Sequence, residues 1–155
     1  MAAPILIAYD GSAPARRAVR EAAELFGTRQ VLVATVWEEA LAYSSTSTAG
    51  MDLQPTPVDV GLAQEVAQEM ETHARLVAEE GAEQARSAGL EAEAVPIAGN
   101  VSAADAIVEA ARERGVAAIV IGSRGLTGLR ARLEGSTSSG VVKHAACPVL
   151  IVHDD

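Results

Sequence analysis

Cysteine, lysine, net positive charge and long apolar runs are all scarce in this chain of 155 residues. The single cysteine, Cys147, excludes an internal disulfide and fits a reducing compartment. Its place beside Pro148, at the head of an apolar run, suggests a small buried side chain. The single lysine, Lys143, excludes a Walker-type phosphate loop, because no Gly-Lys-Ser/Thr exists. No apolar run approaches the roughly 20 residues of a membrane-spanning helix, and the opening Met-Ala-Ala-Pro lacks the basic segment and apolar core of a secretory signal. The expectation is a cytoplasmic protein with no membrane partner. A formal net charge of −9 likewise opposes nucleic acid, which rewards a basic surface.

What is present is apolar and regularly patterned. With 49% hydrophobic and 21% charged residues, the chain can bury one sizeable core, and residues 1–155 are expected to form one domain. Apolar runs over 4–9, 30–36, 117–121 and 147–152 read as buried strands. Residues 90–98 alternate Glu91, Glu93 and Pro96 with apolar positions, as an edge strand does. Between them lie helical patterns. Ser12 is an N-cap candidate for a helix with Ala15, Ala18, Val19, Ala22 and Phe26 on one face, closed by Gly27. A long helix carries Leu62, Val66, Met70, Ala74, Val77, Gly81, Ala85 and Ala88 as its core stripe, and Gly81 on that stripe suggests close approach to the sheet. His73, at the stripe's edge without a partner acid or cysteine, reads as a packing or surface residue. Ser102 and Asp105 form a capping box ahead of Ala103, Ala106, Ile107 and Ala110, and Gly115 closes that helix. The segment 38–57, with Ser and Thr in a row and Pro55 and Pro57 behind, reads as a long mobile loop, either a lid or a connection.

Five strands alternating with four helices require a parallel sheet with right-handed crossovers. The expected fold is α/β, a doubly wound, Rossmann-like five-stranded parallel sheet with helices on both faces. Ligands in such sheets bind beyond the carboxyl ends of the strands, where the winding reverses.

The most informative stretch runs from Gly122 to Ser138. It follows a buried strand and opens a helix at Gly135-Ser136-Thr137-Ser138, with Val141, Val142 and Ala145 on one side. Glycines at a strand-to-helix turn let backbone N–H groups approach an anion, and a helix N-terminus adds unpaired donors. Between 122 and 144 the cations Arg124, Arg130, Arg132 and Lys143 face Glu134 alone, so positive charge is concentrated there in an acidic protein. A surface loop with a well-capped helix would use the same residue types, and the spacing by itself leaves both readings open.

The spacing Gly122, two residues, Gly125, nine residues, Gly135-Ser136 resembles the ATP-binding signature of the universal stress protein family. The opening Ile-Ala-Tyr-Asp-Gly-Ser and the closing Cys-Pro-Val-Leu-Ile-Val resemble the same family, so the likeness runs from Ile5 to Val152. It implies strand order 3-2-1-4-5. It implies ATP as ligand, with Mg bound through the phosphates. Gly122, Gly125, Gly135, Ser136 and Ser138 would hold the phosphates and Asp10 would meet the ribose. Ala8 and Val36 would present backbone to the adenine, with Tyr9, Arg124 and Thr137 completing the binding set. Thr137 stands where the family often has Val, and Ala117 where many members have Asp.

No catalytic constellation accompanies these residues: beyond Asp10 and Glu134 there is no acid in the motif region, and His144 lies on the following helix. The expected function is a regulatory ATP-binding protein of the stress response with little or no hydrolysis. The alternatives are an ATP-hydrolysing enzyme using His144 or Asp10, and a nucleotide-free interaction protein. The uncharged run Val149-Leu150-Ile151-Val152 would be a sheet edge in need of cover, so a homodimer through 148–153 is expected.

Overall fold

The computed structural model describes residues 2–39, 59–123 and 136–153. Five strands, β1 (Ile5–Ala8), β2 (Gln30–Glu38), β3 (Glu91–Gly99), β4 (Ala118–Gly122) and β5 (Val149–Val152), form one sheet in the order β3-β2-β1-β4-β5. Every pairing is parallel. The expected doubly wound fold and strand order are therefore found. Between the strands lie α1 (Ala13–Phe26), α2 (Val60–Ser87), α3 (Ala103–Glu113) and α4 (Ser136–His144).

Alternation along each strand sends side chains to two cores. Ile5, Ile7, Tyr9, Val31, Val33 and Val120 pack beneath α1 and α2, while Leu6, Leu32, Ala34, Val95, Ile119 and Ile121 pack beneath α3 and α4. β1 is central, so it is covered on both faces and paired on both edges; Ile5, Leu6 and Ile7 are fully buried. This is why a parallel strand reads as an unbroken apolar run.

The local signals hold where chemistry is explicit. The Ser12 side chain accepts from the Ala15 N–H, and Gly27 ends α1 with φ +63°. Ser102 accepts from the Asp105 N–H and donates to the Asp105 carboxylate at 2.7 Å, so the capping box is closed side chain to side chain. Gly115 follows α3 at φ +57°. Gly81 approaches the sheet as expected: an added Cβ would lie 2.8 Å from Tyr9 Cγ, Tyr9 Cδ1 and Val33 Cγ1.

Other expectations need correction. In α2 the buried residues are Ala63, Ala74, Ala78, Gly81, Ala82 and Ala85, whereas Leu62 is exposed, as is Ala88, which caps the helix from beyond its end. The stripe shifts to small residues because α2 lies close on the sheet, and its first half, Val60 to His73, buries only Ala63. His73 is on the surface. Val142 is exposed while its neighbour Val141 is fully buried against α3, where an added Cβ on Gly140 would lie 2.7 Å from the Ala104 Cβ. Cys147 is only partly buried. Trp37 and Glu38 continue β2, so the loop expected over 38–57 starts later, and 40–57 lie outside the described residues. Among the described residues no helix is long and apolar enough to cross a membrane.

Candidate functional site

The winding reverses between β1 and β4. From β1 the chain passes to α1 on one face, and from β4 it passes to α4 on the other. The two strands pair in register, Ile7 with Val120, and counting on places Tyr9 level with Gly122. Asp10 thus leaves the sheet beside the end of β4, at the edge where doubly wound sheets hold ligands in a crevice outside the strand ends.

The turn after β1 is held from several sides. The Tyr9 N–H donates to Ala34 O at 2.8 Å, and Tyr9 O accepts from the Thr35 hydroxyl at 2.8 Å. Thr35 is buried, so its hydroxyl fixes the strand end where a valine could not. Asp10 Oδ1 accepts from the Ser12 N–H at 3.0 Å, an Asx turn that delivers the chain to the α1 cap, and Gly11 adopts φ +79° between them. The Tyr9 ring is buried beneath Gly81. Its side chain therefore faces the core of α1 and α2, and only its backbone belongs to the crevice edge.

Ala8 and Val36, both partly buried, lie on the opposite face from Tyr9, the face of α3 and α4. Gly122 ends β4, and a Cβ there would meet Pro14 Cβ at 2.9 Å and Pro14 C and O at 3.1 and 3.2 Å. Its glycine is required by the first turn of α1. Ser123 donates to Val152 O at 2.8 Å and ties the start of the following segment to β5. At the head of α4 Ser136 is exposed, Thr137 partly buried and Ser138 buried. Helices that join parallel strands start at the carboxyl side, so these three residues lie on the crevice side of the sheet. Arg124, Gly125 and Gly135 lie outside the described residues.

His144 occupies the last position of α4, eight residues from Ser136 and so about 12 Å along the axis. Its Nδ1 is 3.1 Å from Gly140 O of its own helix. It is not placed to act as a base at the helix head. Among the described residues no group of His, Cys, Asp and Glu could hold a metal ion.

A cluster absent from the sequence reading lies behind Tyr9. Its hydroxyl donates to Glu80 Oε1 at 2.9 Å, and Arg16 Nη2 and Nε reach the same oxygen at 2.9 and 3.3 Å. Gln84 Nε2 donates to Tyr9 Oη at 3.1 Å and to Glu80 Oε1 at 3.2 Å. Hydrogen bonds from Tyr9 and Arg16 hold the Glu80 carboxyl below its ordinary range. Burial pushes the Tyr9 hydroxyl up. The signal in sequence was an aromatic beside the turn and a glycine on α2, with nothing to join them.

Comparison with known proteins places these features in a family. The universal stress protein family model matches residues 1–153. Universal stress protein YxiE of Bacillus subtilis is 33% identical over 150 residues, covering 96% of this chain and 97% of the relative. The structure of universal stress protein UspA from Lactobacillus plantarum superposes with a TM-score of 0.70 at 22% identity, covering 97% of each chain. A universal stress protein solved in complex with cAMP superposes with a TM-score of 0.64 at 24% identity, covering 99% of this chain and 98% of that one. With residues 1–153 matched by the family model and the sheet order in place, the chain belongs to the universal stress protein family.

Proposed function

We infer that this protein binds ATP in the crevice between β1 and β4 and uses its occupancy as a regulatory signal in the stress response, with little or no hydrolysis. The observation that carries the reading is the juxtaposition of Asp10 and Gly122 at the reversal of winding, with Ser136–Ser138 heading the helix on the same side. Asp10 serves the ribose and the backbone at Ala8 and Val36 the adenine. Gly122, Gly125, Gly135, Ser136, Thr137 and Ser138 serve the phosphates, with Arg124 adding charge. Tyr9 supports Asp10 from behind. Mg would enter on the phosphates. The adenine nucleotide bound by one structural neighbour supports the ligand class.

The position of His144 at the far end of α4 weighs against the hydrolase reading. A cytoplasmic location is proposed with the single cysteine in view. We also propose a homodimer through 148–153. Among the described residues β5 pairs only with β4, and Val149, Leu150 and Ile151 are all partly exposed.

The test is direct. The purified protein is denatured and the supernatant assayed for adenine nucleotide, then the nucleotide-free protein is titrated with ATP by calorimetry and incubated to look for ADP or AMP. Saturable ATP binding without product supports the reading. Absence of both bound nucleotide and binding heat removes it, and turnover at the ordinary enzyme scale of roughly 1 to 1000 per second favours the hydrolase.

A further inference from the structure

The site residues implied by the family likeness leave a question of precision. Asp10 sits on a turn, and turns are held less firmly than strands. Its predecessor, by contrast, is held at every polar atom. The Tyr9 N–H and C=O are taken by Ala34 and Thr35, and its hydroxyl by Glu80 and Gln84. The ring is pinned by the missing side chain of Gly81. Glu80 Oε1 is the hub: it receives Tyr9 from just beyond β1, Arg16 from the first turn of α1 and Gln84 from its own helix. The Asp10–Gly11–Ser12 turn runs between the two outer partners, Tyr9 and Arg16. A single carboxylate oxygen on α2 therefore clamps both ends of the turn that carries Asp10.

We propose that Glu80, acting through Tyr9 and Arg16, is a positioning residue that sets how Asp10 is presented to the ribose of a bound nucleotide. This rests on the nucleotide reading above and extends it to a residue that touches no part of the ligand. Glu80 is 45% exposed at its side chain, and its distance in sequence from Tyr9 gives it no local structural duty in the turn. Its value lies in geometry, because a buried tyrosine hydroxyl seeks a fixed acceptor and the carboxylate supplies one shared with Arg16. Loosening the hub frees the turn without removing any ligand contact.

The experiment compares ATP with 2′,3′-dideoxy-ATP, which lacks the ribose hydroxyls, by calorimetry on wild type, Glu80→Ala, Glu80→Gln and Tyr9→Phe. Glu80→Ala should weaken ATP by about three- to tenfold, the worth of one net hydrogen bond, while leaving the dideoxy analogue nearly unchanged. Glu80→Gln keeps an acceptor oxygen and should restore most of the discrimination. Tyr9→Phe keeps the ring in place and should resemble Glu80→Ala, so it carries the test if the alanine variant does not fold. An equal loss for both ligands, or no loss for either in folded variants, overturns the proposal while the nucleotide reading stands. If wild type itself fails to bind ATP, the nucleotide reading falls and the proposal with it.

Discussion

Gly81 and Tyr9 meet so closely that a single added carbon on the glycine would stand 2.8 Å from two ring atoms of the tyrosine. This contact sets the distance between α2 and the central sheet, and it explains why the buried residues of α2 are almost all alanine.

Gly81→Ala is therefore expected to destabilise the protein. Helix propensity alone would favour alanine by about 1 kcal/mol. The overlap with Tyr9 and Val33, 2% and 0% exposed, costs about 1–3 kcal/mol because neither can move into free space. Urea unfolding should show a lower midpoint at unchanged slope, and a higher midpoint would refute the packing argument.

Gly122→Ala should lower the melting temperature even without ligand. The new Cβ would press on the backbone of Pro14, which cannot rotate away as a flexible side chain would. A cost of about 1–3 kcal/mol is expected. Weaker nucleotide binding by a Gly122 variant thus reports a displaced α1 as much as a blocked phosphate path, so thermal melts of the ligand-free variant must accompany any binding assay. A variant that melts like wild type would show that α1 yields.

The Glu80 hub predicts a pH signature with opposite signs at the two ends. Hydrogen bonds from Tyr9 and Arg16 lower the native carboxyl below its ordinary value of 4.5. Its contribution to stability is therefore present above that value and is lost as pH falls through the lower native one. The stability gap between wild type and Glu80→Gln should close in acid and shrink with salt, since the pair is half exposed. Burial raises the Tyr9 hydroxyl above 10.0, so its contribution is present below that value and is lost as pH rises through the higher one. In a Tyr43→Phe background, the midpoint of tyrosinate formation should lie above pH 10.0. A midpoint at or below that pH would contradict the buried, bonded hydroxyl.

The free edge of β5 predicts assembly. Light scattering at micromolar concentration should report a dimer, and Ile151→Lys should split it by bringing two charges together at the axis. The lysine stem can still lie on the apolar cluster that Ile151 covers, so the variant should remain folded. A monomeric wild type, or a dimer indifferent to the lysine, would remove this arrangement.

Much of the fold was legible because its strands are buried on both faces and read as apolar runs, and because Ser12, Ser102, Gly27 and Gly115 act on neighbours within a few residues. The strand order was not readable from periodicity and came only from the family likeness. The stripe of α2 was misassigned at Leu62 because a period of 3.6 marks an apolar side without saying how far along it the sheet extends. Of the candidate site, the sequence named Asp10 and Gly122, which the sheet register brings beside each other, but Gly122 owes its lack of a side chain to Pro14 as well as to any ligand. Thr35 had a signal, a lone hydroxyl in a run of valine and alanine. Glu80 had none, since the bond it makes to Tyr9 spans 71 positions.

The central place of β1 also fixes the order in which the molecule can be completed during synthesis. β1, β2 and β3 with α1 and α2 come from the first 99 residues and can pack as soon as they emerge. One flank of β1 then stays open until Ala118–Gly122 arrives, because Ile5 must wait for Ala118 to pair. Closing such a distant contact is slow compared with the local steps before it. The edge between β1 and β4 therefore exists only once β4 has docked, and any molecule that binds there stabilises the paired sheet over the waiting intermediate.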